Sequence, residues 1–182
     1  AVARFLEDAK ARGATLPQRG KGSRNSAVPA FEAVDCGDDD LMDGDCAANA
    51  IAQLREHAKT PGNPFFLAVG FANPHVPWIS PKKYWDLYDP ATIELAPNPF
   101  APKGAPEYAV TNGGELRTYH NVPQTGPIPD DLARQLKHGY FAAISYMDAQ
   151  LGRVLAELDR LSLRESTIVI LWFAGSSAMA GL

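Results

Sequence analysis

The 182-residue sequence has the composition of an ordinary globular domain, with 46% apolar residues, 21% charged residues and a formal net charge of -4. This balance excludes wholesale disorder, and the acidic surplus argues against a nucleic-acid-binding protein. No apolar run approaches the roughly 20 residues that a membrane span requires, and the charged N-terminus AVARFLEDAKARG is not typical of a signal peptide. Two cysteines, Cys36 and Cys46, are too few for a disulfide framework and leave the redox compartment open.

The N-terminal part of the chain, residues 1–44, is predicted to be a poorly ordered lead-in with a short helix over 2–11. An acidic stretch at 35–45 invites comparison with a calcium-binding EF-hand loop. Apolar residues stand at positions three and twelve of that pattern, where ligands are required, so a solvated acidic loop is the favoured interpretation.

The next segment alternates helical and strand patterns. Apolar residues at helical spacing predict an amphipathic helix over 45–59, with Asp43 or Asp45 available to cap it. The wholly apolar run 65–71 predicts a buried parallel strand, and a Ser-Pro pair predicts the start of a short helix over 82–88.

Most of the 15 prolines lie between residues 61 and 129, so 89–129 is predicted to be irregular and to run over the surface rather than through the core. Leucine and other apolar residues then recur every three or four positions, which predicts a long helix over about 130–160. The β-branched run 167–173 predicts a second buried strand.

This order of elements predicts an α/β fold with a parallel sheet flanked by helices. We interpret residues 1–182 as a single partial domain. Its parts are the lead-in 1–44, a helix-strand-loop-helix unit 45–88, the proline-rich excursion 89–129, a helix-strand unit 130–173 and an atypical tail 174–182.

Ligands of open α/β sheets bind beyond the carboxyl ends of the strands, and His75 follows the first predicted strand there. It lies between Pro74 and Pro77, which stiffen the backbone and aim the imidazole. An imidazole can donate or accept a proton near neutral pH. The alternative is a loop histidine bonded to a backbone carbonyl. The other histidines carry no motif and are predicted at the surface: His57, His120 and His138.

Motifs for nucleophilic or nucleotide chemistry are absent from the sequence. The Gly-Ser-Ser stretch at 175–177 lacks the second glycine of a G-x-S-x-G elbow. Acidic neighbours of Cys36 and Cys46 disfavour a reactive thiolate, and there is neither a P-loop nor a G-x-G-x-x-G sequence. From its residues alone, the chain offers one oriented histidine and no complete catalytic site.

Several separate blocks of the sequence nevertheless resemble the sulfatase family, specifically its iduronate-2-sulfatase-like branch. In order and spacing the resemblance covers most of residues 43–172 and corresponds to the second part of the family's catalytic domain. The blocks lie at residues 64–71, 74–78, 81–88, 126–129, 139–155 and 166–172.

The resemblance implies an alkaline-phosphatase-like α/β fold and hydrolysis of sulfate esters, either sulfated polysaccharides or small esters. Family members use a formylglycine nucleophile, made from Cys or Ser, and a calcium ion. They are usually secreted, periplasmic or lysosomal, and this sequence does not assign its own compartment.

The family residues that carry over to this sequence are few. His75 matches the histidine of the family's Lys-Pro-His segment and is the candidate proton donor to the leaving oxygen. Asn73 stands where the family has that lysine, as a candidate substrate contact. Residues 173–177 replace the family's metal-binding Gly-Asp-His-Gly-Trp, and neither cysteine fits the Cys-x-Pro-Ser-Arg motif. No metal ligand and no cofactor are therefore expected from this chain.

The resulting expectation is a sulfatase-family polypeptide that does not turn over sulfate esters as an isolated chain, and that represents a truncated or frameshifted product. The alternative is a degenerate, non-catalytic relative that acts as a binding or structural module. No nucleic-acid partner and no membrane span are expected. Self-association through exposed sheet edges is expected, because apolar strands without neighbours invite pairing.

Overall fold

The computed structural model describes residues 28–60, 62–98, 100, 103–106, 108 and 113–172. The helix predicted over 2–11 and the tail 174–182 lie outside these residues. Among the helices of the described part, none is long and apolar enough to cross a bilayer.

Two short strands form a parallel sheet, β1 (Phe31–Val34) and β2 (Trp78–Pro81). The register pairs Phe31 with Trp78 at one end and Val34 with Pro81 at the other. The chain crosses between them through helix α1 (Met42–His57). This is the predicted partial α/β fold. β1 lies within the stretch predicted to be poorly ordered, since four residues are too few for a strand pattern to be read.

The long helix α3 (Asp130–Arg160) confirms the predicted helix over about 130–160. Gly139 lies at its closest approach to the sheet, where an added Cβ would be 2.9 Å from Phe31 Cβ and from Trp85 Cη2. The first core cluster lies around the sheet and α3: Ala30, Val76, Trp78, Leu116, Tyr119, Val122, Leu136 and Ala143. The second lies between α1 and α3: Ala47, Ala50, Leu54, Val154 and Leu158.

Both shorter helices differ from the prediction, the first in where it begins and the second in where it ends. α1 begins at Met42 with Leu41 as its N-cap, and no side chain caps it. The predicted cap Asp43 instead bonds to backbone far along the chain. The predicted helix over 82–88 is a single turn, α2 (Lys82–Trp85). Ser80 pairs with Ala33 in the sheet, which keeps its backbone extended.

The two apolar runs predicted as buried strands are not paired strands. Over 65–71 one face, Leu67, Val69 and Phe71, packs on the α1–α3 core, while Phe66 on the other face is 93% exposed. Residues 168–172 are also exposed. The described residues contain a single sheet, β1 with β2, and neither run belongs to it. Strand propensity without a neighbouring strand leaves backbone groups unpaired, so no ladder forms.

The described residues of the excursion 89–129 are irregular, as predicted, apart from short 3-10 turns such as Pro90–Thr92 and Leu116–Thr118. Its last part is not confined to the surface, however. Leu116, Tyr119 and Val122 are buried against the sheet. Proline content predicts the irregular backbone, but it does not predict which side chains enter the core.

Glu157 of α3 joins that helix to α1 through Arg55, and this contact predicts that the stability of the fold depends on acid. Arg160 Nε lies 2.9 Å from Glu157 Oε2, and Arg55 Nε lies 2.7 Å from Glu157 Oε1. These two guanidinium groups, Arg160 first, lower the pKa of Glu157 from its usual 4.5 to about 2. Because the folded-state pKa is depressed, this stabilisation is present above pH 4.5 and is lost as the pH falls toward 2.

We therefore expect Glu157→Gln to flatten the acid limb of the stability curve. Thermal unfolding of both proteins, followed by circular dichroism between pH 6 and pH 2, measures it as a smaller fall in Tm for the variant. Glu56→Gln is the matched control on α1, because Glu56 is exposed and pairs with exposed Lys59, two residues beyond the end of the same helix, rather than with α3. Parallel curves for the native chain and Glu157→Gln would contradict the assignment.

Candidate functional site

The histidine loop, residues 72–77, connects the extended run 65–71 to β2. Its Asn73–Pro74 and Val76–Pro77 peptide bonds are both cis. The His75 amide donates to Ala72 O at 2.9 Å, which closes a tight turn. The indole Nε1 of Trp78 donates to Pro74 O at 2.9 Å, so the first residue of β2 binds the backbone of the loop.

The imidazole of His75 has two distinct nitrogens. Nδ1 lies 2.6 Å from Val76 O, and because a carbonyl oxygen only accepts, Nδ1 carries the proton. Nε2 faces outward, and the side chain is 57% exposed. Glu115 is a charged neighbour of the ring, with Oε2 at 3.5 Å from Nε2. The predicted alternative of a backbone-bonded histidine therefore describes Nδ1, while a catalytic role for Nε2 stays a prediction.

Val76 O also accepts a hydrogen bond from the hydroxyl of Tyr119 at 3.1 Å. Burial, together with the nearby carboxylate of Glu115, raises the pKa of Tyr119, so the hydroxyl keeps its proton at neutral pH. Tyr119, a residue of the excursion, therefore fixes the Val76 carbonyl oxygen that orients the His75 ring. Val76 itself is buried in the core beside the sheet.

The other end of the loop is bound by Asp43, in the first turn of α1. The carboxylate is 1% exposed. Oδ1 accepts from the Ala72 amide at 2.7 Å, and Oδ2 accepts from the amide of Asn73 at 3.1 Å and from its side-chain Nδ2 at 2.9 Å. The loop that carries His75 is therefore tied to a helix on one side and to the excursion on the other.

The two sequence-predicted site residues are close neighbours with different surroundings. His75 Nε2 is exposed, whereas the side-chain amide of Asn73 is occupied by Asp43. A substrate contact by Asn73 stays a prediction. Sequence reasoning missed Asp43, Glu115 and Tyr119 as neighbours of the loop. Asp43 was interpreted as a cap, and nothing local marks the other two.

The remaining histidines contact aromatic rings or solvent. His138 was predicted at the surface, but it is half-buried, with Nε2 at 2.8 Å from Trp85 O and its ring edge-on to Trp85. The ring of His57 lies 4.3 Å from that of Phe65, centroid to centroid. His120 is exposed.

The described residues do not fit a calcium site. Among them no three His, Cys, Asp or Glu side chains are grouped to hold a metal ion. The acidic stretch is not a freely solvated loop either: Asp38 binds Lys83 at 2.8 Å, and Asp39 binds Arg153 at 2.6 Å. Both oxygens of Asp43 accept hydrogen bonds from N–H donors of the histidine loop.

The Cys46 thiol is not an activated nucleophile. Neither Cys36 nor Cys46 is disulfide-bonded. Burial raises the pKa of the Cys46 thiol, and the carboxylates of Asp43 and Asp45 add to the effect. A thiol that keeps its proton is a poor nucleophile.

Comparison with known proteins relates this chain to sulfatases. The Sulfatase family model matches residues 7–172. Iduronate 2-sulfatase of Homo sapiens is 42% identical over 135 residues, which is 71% of this chain and 24% of the human protein. The mouse iduronate 2-sulfatase (Mus musculus) is 38% identical over 158 residues, or 84% of this chain and 28% of that protein. A sulfatase of Formosa agariphila is 32% identical over 141 residues, 74% of this chain and 26% of its own length.

The chain thus spans about a quarter of the length of the curated relatives it matches. The family model covers most of the chain, and it includes the histidine loop, both strands and all three helices. The chain belongs to the sulfatase family, in its iduronate-2-sulfatase-like branch.

Proposed function

We propose that this chain contributes the leaving-group side of a sulfate ester hydrolase site, with His75 as the proton donor, and that its 182 residues alone do not turn the ester over. The observation that carries the proposal is the orientation of the imidazole. Nδ1–H is committed to Val76 O, so Nε2 is the nitrogen that meets a ligand. The family relationship supplies the reaction class.

In this role a protonated Nε2 gives its proton to the ester oxygen as the S–O bond breaks and the sulfuryl group passes to the nucleophile that the complete site would supply, so that the leaving group departs as a neutral alcohol. The ring is left neutral, with its remaining proton on Nδ1. Protonating a poor alkoxide leaving group is the kind of step for which a positioned general acid is worth about 10²–10⁴ in rate. We propose a sugar sulfate as the substrate class, in line with the relatives named iduronate 2-sulfatase.

One histidine does not suffice for turnover. Sulfuryl transfer places charge on several oxygens, and the loss of a single charge-stabilising group typically costs about 10²–10³ in rate. Next to His75 Nε2 the structure places a carboxylate, Glu115, which opposes an anionic ester. The sequence also lacks the Cys-x-Pro-Ser-Arg motif that supplies the family nucleophile.

The test separates binding from turnover. With the purified chain, 4-methylumbelliferyl sulfate and calcium chloride, we expect no release of fluorescent product above that of a heat-denatured sample. In the same solution we expect the ester to shift the NMR signals of the His75 ring and to leave those of exposed His120 in place. Turnover that disappears in His75→Ala would overturn the claim of inactivity. An unmoved His75 ring would overturn the assigned role.

A further inference from the structure

Asp43 is a buried carboxylate with no catalytic assignment, and all of its bonds lead to the histidine loop. It lies in the first turn of α1, where the positive end of the helix dipole favours a negative charge. Its three acceptor contacts go to the amides of Ala72 and Asn73 and to the Asn73 side chain. A carboxylate that only capped its own helix would bond to amides of α1 instead.

The loop is held at three places, and they differ in strength. Trp78 binds Pro74 O, and Tyr119 binds Val76 O, each through one neutral hydrogen bond. Asp43 makes three bonds in which the acceptor is ionised, and such bonds are shorter and roughly twice as strong as neutral ones. The segment that enters the loop, 65–71, belongs to no sheet of the described residues, and its Gly70 O accepts from Cys46 Sγ of α1 at 3.2 Å. Asp43 holds the next two residues, Ala72 and Asn73.

From this geometry we propose that Asp43 is a positioning residue for His75: by binding the amides of Ala72 and Asn73 together with the Asn73 side chain, it sets the turn that keeps Nδ1–H on Val76 O and leaves Nε2 outward. Asp43 acts through the loop and does not touch the ligand. The inference rests on the proposed function for its catalytic meaning, but the orientation of the ring can be measured without any ester.

The test uses Asp43→Asn in the full chain. The amide keeps one oxygen acceptor, but its NH₂ group then faces N–H donors, so at least one bond is replaced by repulsion. With ¹⁵N-labelled histidine at about pH 8, above the usual imidazole pKa, long-range ¹H–¹⁵N spectra report which ring nitrogen carries the proton. His75→Gln assigns the His75 signals.

We expect the native chain to show His75 protonated at Nδ1, and Asp43→Asn to shift it to a mixture of both tautomers. Asp45→Asn is the matched control, because it removes the same charge from the same first turn of α1 without touching the loop. A folded Asp43→Asn that keeps the Nδ1–H pattern would overturn the proposal, as would an equal change in Asp45→Asn.

If Asp43→Asn does not fold, Asn73→Ala decides the question, since it deletes one of the three bonds and leaves the buried carboxylate in place. We expect a smaller shift in the same direction, and an unchanged tautomer would overturn the proposal. The two proposals fail on different results. If the ester does not shift the NMR signals of the His75 ring in the native chain, the proposed function is wrong. The tautomer of His75 in the variants alone decides the role of Asp43.

Discussion

Replacing Gly44 by alanine is expected to destabilise the chain more than any other single methyl group added to a helix. A Cβ at this position would lie 1.8 Å from Asp38 O and 2.4 Å from Asp38 C. Both atoms belong to backbone, so no side-chain rotation relieves the clash. The Gly44 amide also donates to the buried Tyr146 hydroxyl at 2.7 Å, and that hydroxyl donates to Asp38 O at 2.8 Å.

The alanine must therefore push the 3-10 turn Asp38–Asp40 away from α1 or break the contact with α3. Overpacking of this kind costs about 3 kcal/mol, which corresponds to a fall in Tm on the order of 10 °C for a chain of this size. Differential scanning calorimetry of the native chain and the variant measures it. Because Asp43 is the neighbouring residue, we also expect the signals of the His75 ring to move.

Gly152→Ala provides the matched control. Gly152 lies in α3, and nothing lies within 4 Å of the position that its Cβ would take. Alanine there should raise stability by about 0.5–1 kcal/mol, because it restricts the unfolded chain and favours the helix. If the two variants have the same Tm, the close packing of α1 on the 3-10 turn is wrong.

Local patterns predict the parts of this fold that depend on local interactions. The apolar period of α3 extends over 31 residues, long enough for helical spacing to dominate any competing pattern. The irregular backbone of 89–129 follows equally from its prolines. β1 is different, because its four residues become a strand only through pairing with β2.

The candidate site divides in the same way. His75 is visible in the sequence because two prolines and a preceding apolar run mark its loop. Asp43 is invisible as a loop anchor, since its partner Ala72 is 29 residues away and an acid in a first helical turn already has a local explanation. Glu115 and Tyr119 reach the loop from an excursion whose path no periodicity describes.

We expect the exposed apolar runs to govern the association of the chain in solution. Residues 65–71 and 167–172 carry no charge, and side chains such as Phe66, Ile168 and Trp172 are almost wholly exposed. Uncharged apolar segments in extended conformation, with neither proline nor charge to interrupt them, pair readily with copies of themselves. We expect the isolated chain to sediment as dimers and larger species at micromolar concentration.

Lysine at Ile168 and Ile170 together should abolish most of this association. The two side chains are 89% and 79% exposed, and residues two apart lie on the same face of an extended segment, so charges there repel a second copy without disturbing the core. The control variant carries lysine at both Leu87 and Phe100, which are exposed apolar side chains outside both runs. Sedimentation velocity distinguishes the outcomes. If the variant with Ile168→Lys and Ile170→Lys still associates, the contact lies elsewhere on the chain. The same holds if the control variant loses its association to the same extent. A fall to monomer in the first variant alone would locate it on the unpaired run that follows α3.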